Sequence, residues 1–220
     1  MKFYVLSNPR DTERGAVTDF TKSEPVNRGE APKCPICGAF IGSLPWLPPY
    51  RAELEVWGKD FGDLAFGPGS ELLVAQRVAD AFKHEGLVGF SGFNEVEIVK
   101  VIRRGGSKIT SQPPRYDCVA IDRGRAAIDV EASGMVHEEP YTCAECRSGL
   151  IKRIGRIVLE ESTWSGEDVF RARGLPGTIL TSERFQAFFE RYSLNNGVLM
   201  DAADYSIDFY PWEKNPENNE

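Results

Sequence analysis

Two CxxC pairs, Cys34-Pro35-Ile36-Cys37 and Cys143-Ala144-Glu145-Cys146, hold four of the five cysteines in this chain. Thiolates two residues apart grip one face of a zinc ion, and two such pairs make a closed tetrahedral four-thiolate site. A compact zinc ribbon separates its pairs by about 15–20 residues. Here 105 residues intervene. One ion shared by both pairs ties the first sixth of the chain to its middle, so the fold has to bring those segments together. Pro35 and Gly38 suit a tight knuckle turn, where glycine lets the backbone reverse at no steric cost. The expected ligands of a structural Zn2+ are Cys34, Cys37, Cys143 and Cys146. Cys118 stands apart, inside Tyr116-Asp117-Cys118-Val119, and reads as a buried small hydrophobe. A redox dithiol normally opens a helix after a strand, where the dipole lowers the thiol pKa. Cys34 instead follows Ala31-Pro32-Lys33 and precedes a Pro- and Gly-rich run, so that context is missing.

At 220 residues the chain fits one large domain or two small ones. A chain of this size buries roughly 70% of the surface its unfolded form exposes, and 41% hydrophobic residues suffice to fill such a core. Zinc is therefore expected to hold segments in register rather than to rescue a tiny fold. The first apolar run, Phe3-Tyr4-Val5-Leu6, is shorter than the roughly 7–15 residues of a secretory h-region. No stretch approaches the roughly 20 apolar residues of a membrane span. The expected location is the cytoplasm, with no membrane partner, where CxxC pairs more often bind metal than form disulfides. The net charge is −7. Residues 161–220 carry 5 Lys+Arg against 11 Asp+Glu, a net of −6. An acidic carboxy-terminal quarter argues against a nucleic-acid partner, whose phosphates require a basic surface.

Residues 2–6 read as an opening strand and residues 8–32 as a loop-dominated arm. Three prolines in Leu44-Pro45-Trp46-Leu47-Pro48-Pro49-Tyr50 exclude a helix and predict an extended, packed segment. Residues 53–57 alternate polar and apolar, the period of a half-buried strand. An amphipathic helix is predicted over residues 71–85, capped by Ser70 and ended by Gly86. Residues 94–104 alternate as a strand. Residues 116–121 and 126–130 read as a hairpin around Asp122-Arg123-Gly124-Arg125, and residues 150–159 as the next strand. Ser165-Gly166-Glu167-Asp168 predicts a short helix through Ala172, stopped by Gly174. Residues 177–181 read as a buried strand. Ser182 opens a helix bearing Phe185, Phe188, Phe189 and Tyr192, and residues 211–220 form an acidic tail. The expected fold is α+β: mostly antiparallel sheet with two or three short helices, stapled by a split zinc-ribbon-like four-cysteine site. Residues 1–160 form the zinc-knuckle region, and residues 161–220 pack on it as a helix-strand region of one continuous domain.

Catalysis finds little support. His84 sits at a predicted helix end, where a cation suits the dipole. His137 adjoins Glu138 and Glu139 in a predicted loop. Both read as surface residues. Asp201 and Asp204 are an acidic pair that nothing selects over ordinary surface charge. Lys33, Arg147, Lys152, Arg153 and Arg156 form a modest basic patch near the knuckles, read as a solvated face. Four thiolates leave zinc no open position, so the ion itself is not catalytic. Trp46, Tyr50 and Trp57 read as core.

The chain resembles the double-CXXCG motif proteins, a paralogous set in myxobacteria, some of which are immunity proteins against swarming-inhibition toxins. The resemblance rests on the opening strand, Cys34-Pro35-Ile36-Cys37-Gly38, the distant Cys143–Cys146 pair, Ser165-Gly166-Glu167-Asp168-Val169-Phe170, Leu180-Thr181-Ser182-Glu183-Arg184-Phe185 and Gly197-Val198. It departs at Arg147, which stands where the second CXXCG has its glycine. The resemblance implies a non-enzymatic protein that binds and neutralises a cognate protein toxin. The competing expectation is a zinc-ribbon protein in nucleic-acid binding or transcriptional regulation.

Overall fold

Period-two alternation of apolar residues dominates this chain, and in the computed structural model it yields sixteen strands and two helices among the described residues, 1–9, 17–69, 71–105, 107 and 109–211. Strands β1 (Phe3–Ser7), β2 (Val17–Lys22), β3 (Asn27–Arg28), β4 (Trp46–Leu47), β5 (Arg51–Trp57), β6 (Leu64–Phe66) and β7 (Glu71–Ala75) precede helix α1 (Gln76–His84). Strands β8 (Phe90–Arg104), β9 (Tyr116–Ile121), β10 (Arg123–Ala127), β11 (Val136–His137), β12 (Ile151–Ile154), β13 (Val169–Arg173) and β14 (Leu175–Ser182) follow. Helix α2 (Glu183–Arg191), β15 (Val198–Asp201) and β16 (Ile207–Asp208) complete the order.

Six strands close a barrel in the order β2-β5-β8-β9-β7-β6. Its pairings are antiparallel except at β5–β8 and β2–β6. Leu54 and Val56 of β5, Leu72 and Leu73 of β7 and Val119 of β9 are buried in its core, joined by Phe82 of α1 and Phe185 and Phe188 of α2. A second sheet runs β10-β13-β14-β1-β15 over a separate core of Phe3, Val5, Ile128, Phe170 and Leu180. The amino-terminal strand β1 lies between β14 and β15, so the start of the chain is paired with its late strands. Short β11, β12 and β16 make a third sheet, and β3 pairs with β4. The chain is thus sheet-rich with two helices, mostly antiparallel in pairing.

Several local expectations are corrected. The helix predicted over residues 71–85 is a strand for its first five residues. Glu71-Leu72-Leu73-Val74-Ala75 is buried throughout and hydrogen-bonded between β6 and β9, and pairing on both sides overrides helical propensity. The helix starts only at Gln76, and Gly86 follows it at φ +63. The predicted cap Ser70 lies outside the described residues. Residues 116–121 and 126–130 form no hairpin: β9 stays in the barrel between β7 and β8, while β10 crosses to the second sheet beside β13. The helix predicted from Ser165 to Ala172 is absent, because Val169–Arg173 pairs as β13. Asp168 does not reach back to cap a helix. Its buried carboxylate accepts from the Val88 amide, the Ser182 hydroxyl and Arg184. The arm over residues 8–32 contains β2 and β3, and the strand predicted over residues 150–159 shortens to β12. The alternation in β8 changes phase at Val99. Ala52 pairs with Ile98 and Glu53 with Lys100, so Val99 is an inserted residue and the core-facing set passes from Val96 and Ile98 to Val101. Ser182 caps α2 as expected, accepting from the Phe185 amide. Trp46 is buried and stacks near Phe20, with Tyr50 edge-on to it. The acidic tail beyond Pro211 lies outside the described residues.

Candidate metal centre

The first knuckle is the turn between β3 and β4. Lys33 bridges to Phe40, the Cys34 amide donates to Ala39 O, and the Gly38 amide donates back to Cys34 O at 2.9 Å. The second knuckle lies between β11 and β12, where the Arg147 amide donates to Cys143 O, also at 2.9 Å. The two turns therefore share one hydrogen-bonding plan. That plan places the residue after the second cysteine in the left-handed region: Gly38 at φ +74 and Arg147 at φ +51. Arginine pays a steric penalty there that glycine avoids. Its side chain offsets the strain. Arg147 pairs with Glu160 at 2.8 Å and donates to the carbonyls of Ile128 and Ala144.

Folding brings the four predicted ligands together across the 105-residue gap. Their Sγ atoms all lie within 4.8 Å of one another. Cys34 and Cys143 are 3.9 Å apart, and Cys37 and Cys146 are 3.6 Å apart. A tetrahedral ion with metal–sulfur bonds of about 2.3 Å sets its sulfurs about 3.8 Å apart. The two shortest contacts match that spacing, and the whole cage is close to the size such an ion requires. Cys34, Cys143 and Cys146 are buried, Cys37 is exposed, and Ile41 packs against the cluster. As free thiols they compete for charge. The Ala39 amide favours the Cys37 thiolate, but burial and its sulfur neighbours outweigh it and push that thiol up to about 12. At Cys146, burial opposes ionisation, yet hydrogen bonds from Ser148, Cys37 and Cys143 draw the thiol down to about 7. A bound cation removes the competition by favouring every thiolate at once.

Cys118 lies outside the cluster, buried in β9, where burial first and the Glu71 carboxylate second push its thiol up to about 12. The basic residues near the knuckles do not act as one face. Arg147 is internally paired, Arg156 donates to Ala132 O, and Lys33 and Lys152 lie over the rings of Phe40 and Tyr210. His137 is not a plain surface residue. Its ring packs 5.5 Å from Tyr141, its Nε2 is buried, and burial lowers its pKa. His84 closes α1 as expected. Asp201 holds Lys2 at 2.8 Å and accepts from the Ala203 amide. Arg123 carried no signal within Asp122-Arg123-Gly124-Arg125, because only the crossover of β10 to β13 sets it beside the knuckles. A cavity of about 50 Å3 is lined by Cys34, Cys146, Arg123 and Arg173. No helix among the described residues is long and apolar enough to cross a membrane. Compared with protein-family profiles and with curated proteins, the chain matches none.

Proposed function

We propose that this chain is a cytoplasmic, zinc-stapled, non-enzymatic immunity protein that binds and neutralises a cognate antibacterial toxin. The observation that carries the non-catalytic part is the cage itself. Four protein sulfurs surround one point at zinc-compatible spacing, so a bound zinc has no place left for water or substrate. Such an ion clamps the loop between β3 and β4 to the loop between β11 and β12 and stiffens a binding scaffold. The immunity part rests on the resemblance to the double-CXXCG proteins. The second knuckle, which lacks the family's glycine, keeps the first knuckle's backbone turn, in line with that reading. The acidic carboxy-terminal region suits electrostatic steering toward a basic toxin surface, which raises association rate and weakens with salt.

The test is copurification of the tagged chain with the products of neighbouring genes, followed by toxin challenge of cells at controlled ratios. One partner should be retained at equimolar ratio, and protection should require at least one chain per toxin. Protection at a large molar deficit would point to catalysis. Retention on a polyanion column with no protein partner would favour the nucleic-acid alternative. Carboxylates for the steering test are best drawn from Asp204, Glu213, Glu217 and Glu220. Asp201 and Asp208 are engaged within the fold, and neutralising them confounds binding with stability.

A further inference from the structure

The context of a redox dithiol is missing from the CxxC pair at Cys34, but that concerns two cysteines of one pair, and folding sets other sulfurs together. Two sulfur contacts run across the knuckles: Cys37 with Cys146 at 3.6 Å and Cys34 with Cys143 at 3.9 Å. Each joins residues 109 positions apart in the chain. A disulfide holds its sulfurs at about 2.05 Å, so Cys37 and Cys146 have about 1.5 Å left to close, a shift on the scale of a side-chain rotation. Both are also within reach of a small oxidant. Cys37 is exposed, whereas Cys34, Cys143 and Cys146 are 3%, 8% and 6% exposed. Cys34 and Cys146, though buried, form part of the wall of the cavity of about 50 Å3. A single water needs about 10–15 Å3, so a molecule the size of hydrogen peroxide fits there. Of the four cysteines, Cys143 alone is neither exposed nor on that wall. Contact and access therefore coincide in one pair, Cys37 with Cys146.

We propose that the cage is also a peroxide-sensitive dithiol site, in which Cys37 and Cys146 form a disulfide across the knuckles as the metal leaves. The pairing rests on the sulfur geometry alone, and the loss of metal rests on the zinc reading. In the first step the Cys37 thiolate attacks one oxygen of hydrogen peroxide. The O–O bond breaks, Cys37 becomes a sulfenic acid, and hydroxide departs. The Cys146 thiolate then attacks that sulfur, the S–O bond breaks, and a second hydroxide departs. Two protons from solvent turn both hydroxides into water. Peroxide has gained two electrons, one from each sulfur. Cys34 and Cys143 remain as thiolates, and two ligands do not make the four-coordinate site of a structural zinc. The ion is lost but the clamp is not. The new bond joins the same two loops, between β3 and β4 and between β11 and β12. Two equivalents of a thiol reductant restore both cysteines and are themselves joined as a disulfide. Cys118 takes no part, since it is buried in β9 outside the cluster.

The test treats the zinc-loaded full chain with one equivalent of hydrogen peroxide. Zinc release is followed with a chromogenic chelator, free thiols by titration, and cross-links by mass mapping of a non-reduced digest. One zinc should leave for every two thiols lost, with the Cys37 and Cys146 peptides joined. Dithiothreitol should restore both thiols and, with added zinc, the loaded form. The oxidised zinc-free chain should melt above the reduced zinc-free chain, because a bond that closes a long loop constrains the unfolded state. Cys118→Ser should behave as wild type throughout. A cross-link between any other two cysteines, within a knuckle or across, overturns the pairing. Zinc release with sulfinic acid and no cross-link, or an oxidised form that melts no higher than the reduced one, overturns the covalent clamp. A chain that binds no zinc overturns the metal reading by itself, and the cross-link map then still upholds or overturns the pairing.

Discussion

Arg147 shows how one side chain can occupy a backbone position built for glycine. Its left-handed φ is imposed by the knuckle hydrogen bond to Cys143 O, and its guanidinium offsets the strain through Glu160 and Ile128 O. Arg147→Gly and Arg147→Ala both remove the ion pair, but only Ala retains a strained β-carbon. The zinc-loaded Ala variant should therefore be less stable than the Gly variant by about 1 kcal/mol in urea unfolding. An Ala variant as stable as Gly would mean that the turn relaxes. The sulfurs allow a sharper test. Zinc content should be near one per chain in wild type and in Cys118→Ser, and lost in the Cys34→Ser/Cys143→Ser double variant. Full zinc in that double variant would remove these cysteines from the ligand set. The gathering of the four cysteines was legible in the sequence because a thiol pair carries its chemistry in its spacing. Arg147 was not, because its place in the second knuckle depends on a dihedral angle that arginine seldom adopts.

Elements whose pattern and environment agree were the legible ones. The stripe of Phe185, Phe188 and Phe189 with Ser182 ahead of it is a helix with its cap, whereas Glu71–Ala75, an apolar run with helix-forming residues, is strand because β6 and β9 claim both its edges. Closure of the barrel could not be read from the chain at all, since it requires the parallel β5–β8 pairing and the inserted Val99. The cap joins two elements. The Ser182 hydroxyl accepts from the Phe185 amide and donates to buried Asp168 at 2.8 Å. Ser182→Ala should cost about 1–2 kcal/mol, more than a solvent-facing cap, because the Asp168 carboxylate loses a donor as well. A loss of only a few tenths in thermal or urea unfolding would show that water replaces the hydroxyl. In β9, Asp117 is buried opposite Glu95. Burial raises its pKa, with Lys83 and Arg115 pulling the other way and Glu95 adding to the rise. A carboxyl raised in the folded state contributes stability while protonated and loses it as pH rises through the folded value. Asp117→Asn should therefore raise the melting midpoint at about pH 7, with the advantage fading as pH falls through the raised pKa toward about pH 4. A gain independent of pH would assign the effect to something other than ionisation.

At the scale of the whole molecule, the staple divides stability unevenly. The barrel has its own core of strands up to 15 residues long, closed on itself and covered by α1 and α2. The third sheet has strands of 2, 4 and 2 residues, too short to hold together alone. It is supported by the second core through Ile154 and Met135, and by the knuckle that hangs between β11 and β12. Zinc binding by small peptides is worth about 10–16 kcal/mol, but those peptides have little core of their own. Here the loss should be local. After chelation, amides of β11, β12 and β16 should exchange at least about tenfold faster, while those of β5 and β9 stay within about threefold of the zinc-loaded protein. Thermal unfolding should show the same division, with the midpoint lowered and the barrel transition retained. An unchanged exchange pattern after verified metal loss would mean that the ion does not support the fold. Equal acceleration in barrel and third sheet would mean that zinc holds a single cooperative unit. Selective loosening would leave a rigid barrel carrying two freed knuckles, with the third sheet losing its order before the barrel does.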